Sequence, residues 1–267
     1  MKITTTLAII AVVGAAVNYA AWAQQPERVV TQAERRQAVW TPTADAPEGV
    51  LSHALEGQRH DHFIDLAQKG DIEIVFFGTT ETEMWSWAQR GRAVWDRQLA
   101  GRKAANFGSQ GTNPKSLLWR MRNGELDGYE AKLVVLQLGS GGGSSDPFST
   151  SRDPERVAGW ASIIAEIRAR QPQAKILLTA PIPRGVPPRD SRQSWQEIAD
   201  AKAAAVAQLT DDETVFYADF GVRFFLPDGS YDDDYWGTPG PAGVGIQPAA
   251  YEVLAEELEP WIDRFVR

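Results

Sequence analysis

Five short apolar runs recur along the chain, each followed by a polar turn and a helical pattern, and this alternation constrains the fold more than any other feature. The runs are "IEIVFFG" (72–78), "AANFG" (104–108), "KLVVLQLG" (132–139), "AKILLTAPI" (174–182) and "VFYADF" (215–220). Several are nearly continuous in β-branched and aromatic residues, as strands buried on both faces are. Helical patterns lie between them, at about 81–100, 114–123, 154–170 and 190–209. A further helix precedes the first run, "HALEGQRHDHFIDLAQKG" (53–70), closing on Gly70. The last, "PAAYEVLAEELEPWIDRFV" (248–266), opens on Pro248. Strand and helix in strict alternation predict an α/β domain over 51–267, with five parallel strands and helices on both faces. Ligands of such sheets bind beyond the carboxyl ends of the strands. The loops to watch therefore start at Gly78, Gly108, Gly139, Ile182 and Phe220.

The first residues stand apart from that domain. Lys2, the apolar stretch "LAIIAVVGAAV" (7–17) and the small-x-small "AWA" (21–23) make residues 1–23 a signal peptide. The alternative is an uncleaved anchor. The expected location is outside the cytoplasm, periplasmic or extracellular. Residues 24–50 are polar and proline-containing and read as an irregular lead-in. The chain contains no cysteine, so its stability must come from the core rather than disulfides. A net charge of −8 without basic clusters argues against nucleic acid and against anionic membrane surfaces once the leader is removed.

Five stretches resemble one known family. "NFGSQGTNPKSLLWRMRNGEL" (106–126) is similar to the second block of the SGNH/GDSL hydrolases, nearest the platelet-activating-factor acetylhydrolase branch. "RQPQAKILLTAPIPRG" (170–185) and "YEVLAEELEPWI" (251–262) resemble later stretches of the same branch, and "IEIVFFG" with "KLVVLQLG" its first and third strands. The resemblance implies a three-layer flavodoxin-like fold with an ester-hydrolysing site at the strand ends. It also implies where that site's parts belong. Thr80 stands at the serine nucleophile position, after Thr79. Gly111 matches the glycine whose N–H helps hold the oxyanion. Gly141 takes the place of the oxyanion asparagine. The aspartate and histidine positions fall on Ala242 and Gly245 or, with a two-residue gap, on Val244 and Gln247.

Chemistry weighs against this set. An alcohol nucleophile needs a positioned base, and the three histidines, His53, His60 and His62, all precede the first strand. Thr80 is also β-branched and stiff at χ1. Loss of a triad member costs about 10⁴–10⁶ in turnover and loss of one oxyanion donor about 10²–10³. The reading is a catalytically impaired relative that keeps room for a small acylated or carbohydrate-like ligand. Two alternatives stay open: an ester hydrolase using Thr80 or a nearby serine such as Ser140 with an unrecognised base, and a structural or interaction domain.

Other features have plain readings beside functional ones. Thr79, Trp85, Trp87 and Ser140 are candidate ligand contacts, although tryptophans there also serve to pack a helix onto a sheet. The glycine- and serine-rich loop at 139–145 could wrap an anion with its amides. Trp119 is expected in the core. "HDHF" (60–63) reads as a solvated helix start rather than a metal site, because i,i+2 histidines do not share a helix face. "YDDDYW" (231–236) reads as a charged surface loop. No metal or other cofactor is expected, and the oligomeric state is not legible.

Overall fold

The computed structural model describes residues 54–137, 154–183, 192–237 and 245–266. The expected leader (1–23), the expected lead-in (24–50) and the loop at 139–145 lie outside the described residues. Five parallel strands form the sheet: β1 (Ile74–Phe77), β2 (Ala104–Asn106), β3 (Leu133–Gln137), β4 (Lys175–Thr179) and β5 (Val215–Ala218). Their order is β2-β1-β3-β4-β5, with registers such as Val75 opposite both Ala105 and Val134. The predicted α/β architecture is what is observed.

Alternation along the strands divides the core in two. Val75, Phe77, Val134, Leu136, Ile176 and Leu178 point to one face, where helix α1 (Ala54–Lys69), α4 (Pro114–Arg120) and α5 (Pro154–Arg170) cover them. Ile74, Phe76, Leu133, Val135 and Leu177 point to the other, under α3 (Arg92–Gln98) and α7 (Pro248–Phe265). Helix α6 (Arg192–Val206) precedes β5, and β6 (Trp236–Gly237) pairs antiparallel with β7 (Gly245–Ile246).

Local sequence sets the ends of these elements. Gly70 closes α1 at φ +79°, a conformation costly for other residues. Asn113 caps α4 by accepting from the N–H groups of Lys115 and Ser116, and Pro114 takes the first helical position. The single helix expected over 81–100 is instead broken. A short α2 (Thr80–Glu83) and a 3-10 turn precede an extended Trp87, and α3 starts only at Arg92. The break brings Gly91 against the chain at Trp85 and the Tyr251 ring, where a Cβ would sit 2.8 Å from each.

Helix α7 is fastened by arginines from elsewhere in the chain. Arg97 pairs with Glu252, Arg102 with Glu259 and Asp263, and Arg223 with Glu256 and Glu257. No described helix is long and apolar enough to cross a membrane.

Candidate functional site

The turn after β1 carries Thr79 and Thr80 at the carboxyl end of the sheet, both half-buried. Gly78 precedes them because nothing larger fits. A Cβ there would lie 2.0 Å from Thr82 Oγ1 and 2.8 Å from the Gln137 carbonyl. Thr82 in turn donates to Gln137 Oε1 at 2.7 Å, tying the turn to the end of β3. Thr79 Oγ1 donates to Glu81 Oε2 at 3.1 Å. The Thr80 side chain has no hydrogen-bond partner among the described residues.

Beside this turn lies the loop 107–112, with Gly111 at φ +79°. Three buried or half-buried side chains hold it. Asn106 donates to the Thr82 carbonyl and accepts from Gly108 N–H. Glu83, 2 % exposed, accepts from the Gln110 N–H, from Trp87 Nε1 and from Arg59 of α1. Arg120 grips both ends, donating to the Phe107 carbonyl at 2.7 Å and to Thr112 Oγ1 at 2.9 Å.

Arg120 also forms the centre of a buried polar cluster. Its Nε and Nη2 reach Glu125 at 2.7 and 2.9 Å, and His60 Nδ1 lies 2.7 Å from Glu125 Oε1. All three residues are fully buried. The solvated reading of "HDHF" therefore holds for His62 and fails for His60. His60, Phe63, Ile64 and Ala67 form one helical stripe facing the core, and the two-residue offset leaves His62 outside. Trp119, expected in the core, is only half-buried, its ring 5.0 Å from that of His60.

Burial alone would raise the Glu125 carboxyl. The Arg120 charge and the His60 hydrogen bond outweigh it and hold the group below its ordinary 4.5. Its contribution to stability is thus fully present above the unfolded value and is lost as pH falls through the lower folded value. Urea midpoints taken from about pH 6 down to about pH 3 should fall more steeply for the wild type than for Glu125→Gln. Equal slopes would refute the assignment.

The other sequence candidates sort as follows. Trp85 is 1 % exposed, packed edge-on against Tyr251 at 4.6 Å, and so is core rather than a ligand contact. Trp87 is half-buried, with its Nε1 committed to Glu83. Gly245 is buried in β7, and a Cβ on it would stand 3.6 Å from Arg90 Nη2 and 3.9 Å from Met84 Cε. Gln247 precedes α7 and donates to the Gly245 carbonyl at 2.9 Å. The structure thus brings Gly245 beside the segment that follows Thr80. Ser140, Gly141, Ala242 and Val244 lie outside the described residues. Among the described residues no group of three acidic or histidine side chains is placed to hold a metal. The Asp232–Asp234 run is surface loop, partly to fully exposed.

Sequence reasoning missed Glu81, Glu83 and Arg90, all buried within a dozen residues of Thr80. Arg90 Nη1 donates to the Ile246 carbonyl at 2.8 Å, and Tyr251 OH to the Glu81 carbonyl at 2.9 Å. Burial and then the Glu81 charge push the Tyr251 phenol well above its usual range, with Arg90 opposing, so the hydroxyl remains a donor. The available signal was charged residues at apolar positions of an otherwise amphipathic stretch. The two cavities described lie elsewhere, one along α6 and one beside β2, and neither is lined by Thr80 or Gly111.

Residues 76–246 match the model of the GDSL-like Lipase/Acylhydrolase family. The chain belongs to this family. Among its relatives, platelet-activating factor acetylhydrolase IB subunit alpha2 of Rattus norvegicus is 27% identical over 176 residues, covering 62% of this chain and 72% of its own. The Gallus gallus subunit is 25% identical over 206 residues, covering 75% and 84%. A solved structure from Streptococcus pneumonia, named for platelet activating factor, superposes with a TM-score of 0.57 at 17% identity, over 78% of this chain and 92% of that one. At that identity the likeness speaks for the fold alone.

Proposed function

We propose that this protein is an exported GDSL-fold protein, periplasmic or extracellular, whose ester-hydrolysing site is impaired and whose strand-end surface holds a small acylated or carbohydrate-like ligand. The supporting observation is that the Thr80 hydroxyl meets no base among the described residues. Of the histidines on α1, His60 is instead buried against Glu125 and His62 faces outward. Gly245 and Gln247 offer no imidazole or carboxylate in the region where the family resemblance calls for them. The relatives' names speak of acetyl transfer to water, so the class of compound to test is short acyl esters.

One observation favours a second reading. Thr79 Oγ1 donates to the buried Glu81 carboxylate, a hydroxyl–base contact one residue before the nucleophile position. A carboxylate of this kind could accept the proton of an attacking alcohol. Hydrolysis of nitrophenyl acetate and butyrate by the wild type, Thr80→Ala, Thr79→Ala and Glu81→Gln separates the two. The first reading expects no turnover above background, or the same turnover in all four. Turnover lost in Thr79→Ala and Glu81→Gln but kept in Thr80→Ala would replace it with the second. Loss in Thr80→Ala would restore Thr80 as nucleophile.

A further inference from the structure

The outer edge of the sheet carries a groove of about 400 Å³, within the size range of small-molecule sites. Its floor is strand β2, where Ala104 and Ala105 are small enough to leave it open. Half-buried Leu66 of α1 and half-buried Trp95 of α3 line it from the two helix layers, and buried Ile72 adds apolar surface. Strand β2 has β1 on one side and no described strand on the other. Lys103 O and Phe107 N bond to β1, and Ala105 stands opposite Val75. Peptide groups alternate along a parallel ladder, so the N–H groups of Ala104 and Asn106 point away from β1, toward the groove.

The charges around the groove are unevenly matched. Arg92 is taken up by Asp96, whose two carboxylate oxygens each lie 2.7 Å from its Nε. Asp71 is taken up by Lys103 at 3.0 Å. Lys69, in the last turn of α1, also lines the groove and enters no ion pair among the described residues. One ammonium and two backbone N–H donors therefore remain beside apolar surface. That set suits an anion with an apolar body.

We propose that this groove binds a small alkyl carboxylate, its chain against Leu66, Ile72 and Trp95 and its carboxylate on Lys69 and the Ala104 N–H. The two anion partners belong to one end of the sheet. Helix α1 ends at Lys69 as the chain turns into β1, and β2 starts at Ala104 opposite Ile74, the first residue of β1. His62 also lines the groove, seven residues back along α1 and so about 10 Å away. An ammonium is a full cation with three donors, and an imidazole is a cation only when protonated, so the carboxylate belongs at the Lys69 end. A chain of about eight carbons matches the roughly 10 Å that three extended residues span. The site is independent of the Thr80 turn, since neither Thr80 nor Gly111 lines it.

Titration of the full chain with sodium octanoate, followed by amide NMR shifts, tests this. The expected result is saturating shifts at Ala104, Ala105 and Asn106 with a Kd of roughly 1–10 mM, the strength a ligand of this size reaches. Lys69→Met, a change at an exposed position, should weaken binding about 2–5-fold. Lys115→Met, exposed on α4 and away from the groove, should leave it unchanged. Octanol should bind more weakly than octanoate, whereas a groove that reads only apolar surface would prefer the alcohol. Absence of saturating shifts along β2 overturns the proposal. Octanol binding as tightly as octanoate, or Lys69→Met binding as the wild type does, overturns the carboxylate assignment. Shifts confined to Thr79, Thr80 and Gly111 would move the ligand to the strand-end surface and overturn the groove as its site.

Discussion

Replacing Arg120 with methionine is expected to cost about 3–5 kcal/mol, because it strands the buried Glu125 carboxylate and frees both ends of the loop 107–112. For a domain of this size that is a fall of roughly 6–20 °C in thermal midpoint. The magnitude follows from what stays behind. Glu125 would keep only the His60 contact in a fully buried setting, and Phe107 O and Thr112 Oγ1 would lose a donor. A triple change, His60→Leu with Arg120→Met and Glu125→Leu, should be milder than Arg120→Met alone, because it removes the charges together. If calorimetry shows the single variant within about 1 kcal/mol of wild type, the cluster does not hold the loop.

The second large effect is expected at Gly108. A Cβ there would stand 2.4 Å from the Glu83 N and 2.6 Å from the Thr82 carbonyl carbon. These are backbone atoms, so no side chain can swing aside. The turn after β1 and the loop 107–112 must part, and the Glu83 link to Gln110 N–H goes with them. Gly108→Ala should cost about 1–3 kcal/mol or more by overpacking. Gly101→Ala is the matched control: nothing lies within 4 Å of its added methyl, and it should change stability by no more than about 0.5 kcal/mol. Equal chemical-denaturation midpoints for the two variants would contradict the close approach.

The fold was readable because its strands are buried on both faces, which leaves runs such as Ile74–Phe77 and Leu133–Gln137 nearly free of polar residues. Boundaries shortened by a residue or two at most ends, as hydrogen-bonded ladders stop before apolar runs do. The broken helix after Thr80 was not readable. Its apolar residues keep helical spacing, and the close approach of Gly91 to Tyr251 that accompanies the break involves a residue far along the chain. The same holds for His60. Its helical stripe was present in the sequence, but its partners Arg120 and Glu125 lie 60 residues or more away, and nothing local announces them. Trp85 reads from the sequence as a packing residue or, less often, a ligand contact, and the position of α7 decides between them. At Thr80, Gly111, Gly245 and Gln247, what could be read came from likeness to a family, not from periodicity.

The hydrogen bond from Tyr251 to the Glu81 carbonyl spans 170 residues of chain, and that from Arg90 to the Ile246 carbonyl spans 156. Contacts this distant in sequence carry a heavy loop-closure cost and form late. While the chain is still emerging from the ribosome, the turn that bears Thr80 therefore lacks its lid of Tyr251 and keeps Trp85 and Met84 open to water. The strand-end surface is consequently among the last parts of the molecule to be built. A chain cut short before α7 would present that aromatic patch as a sticky, unfinished face, a ready target for chaperones and proteases rather than a smaller working domain.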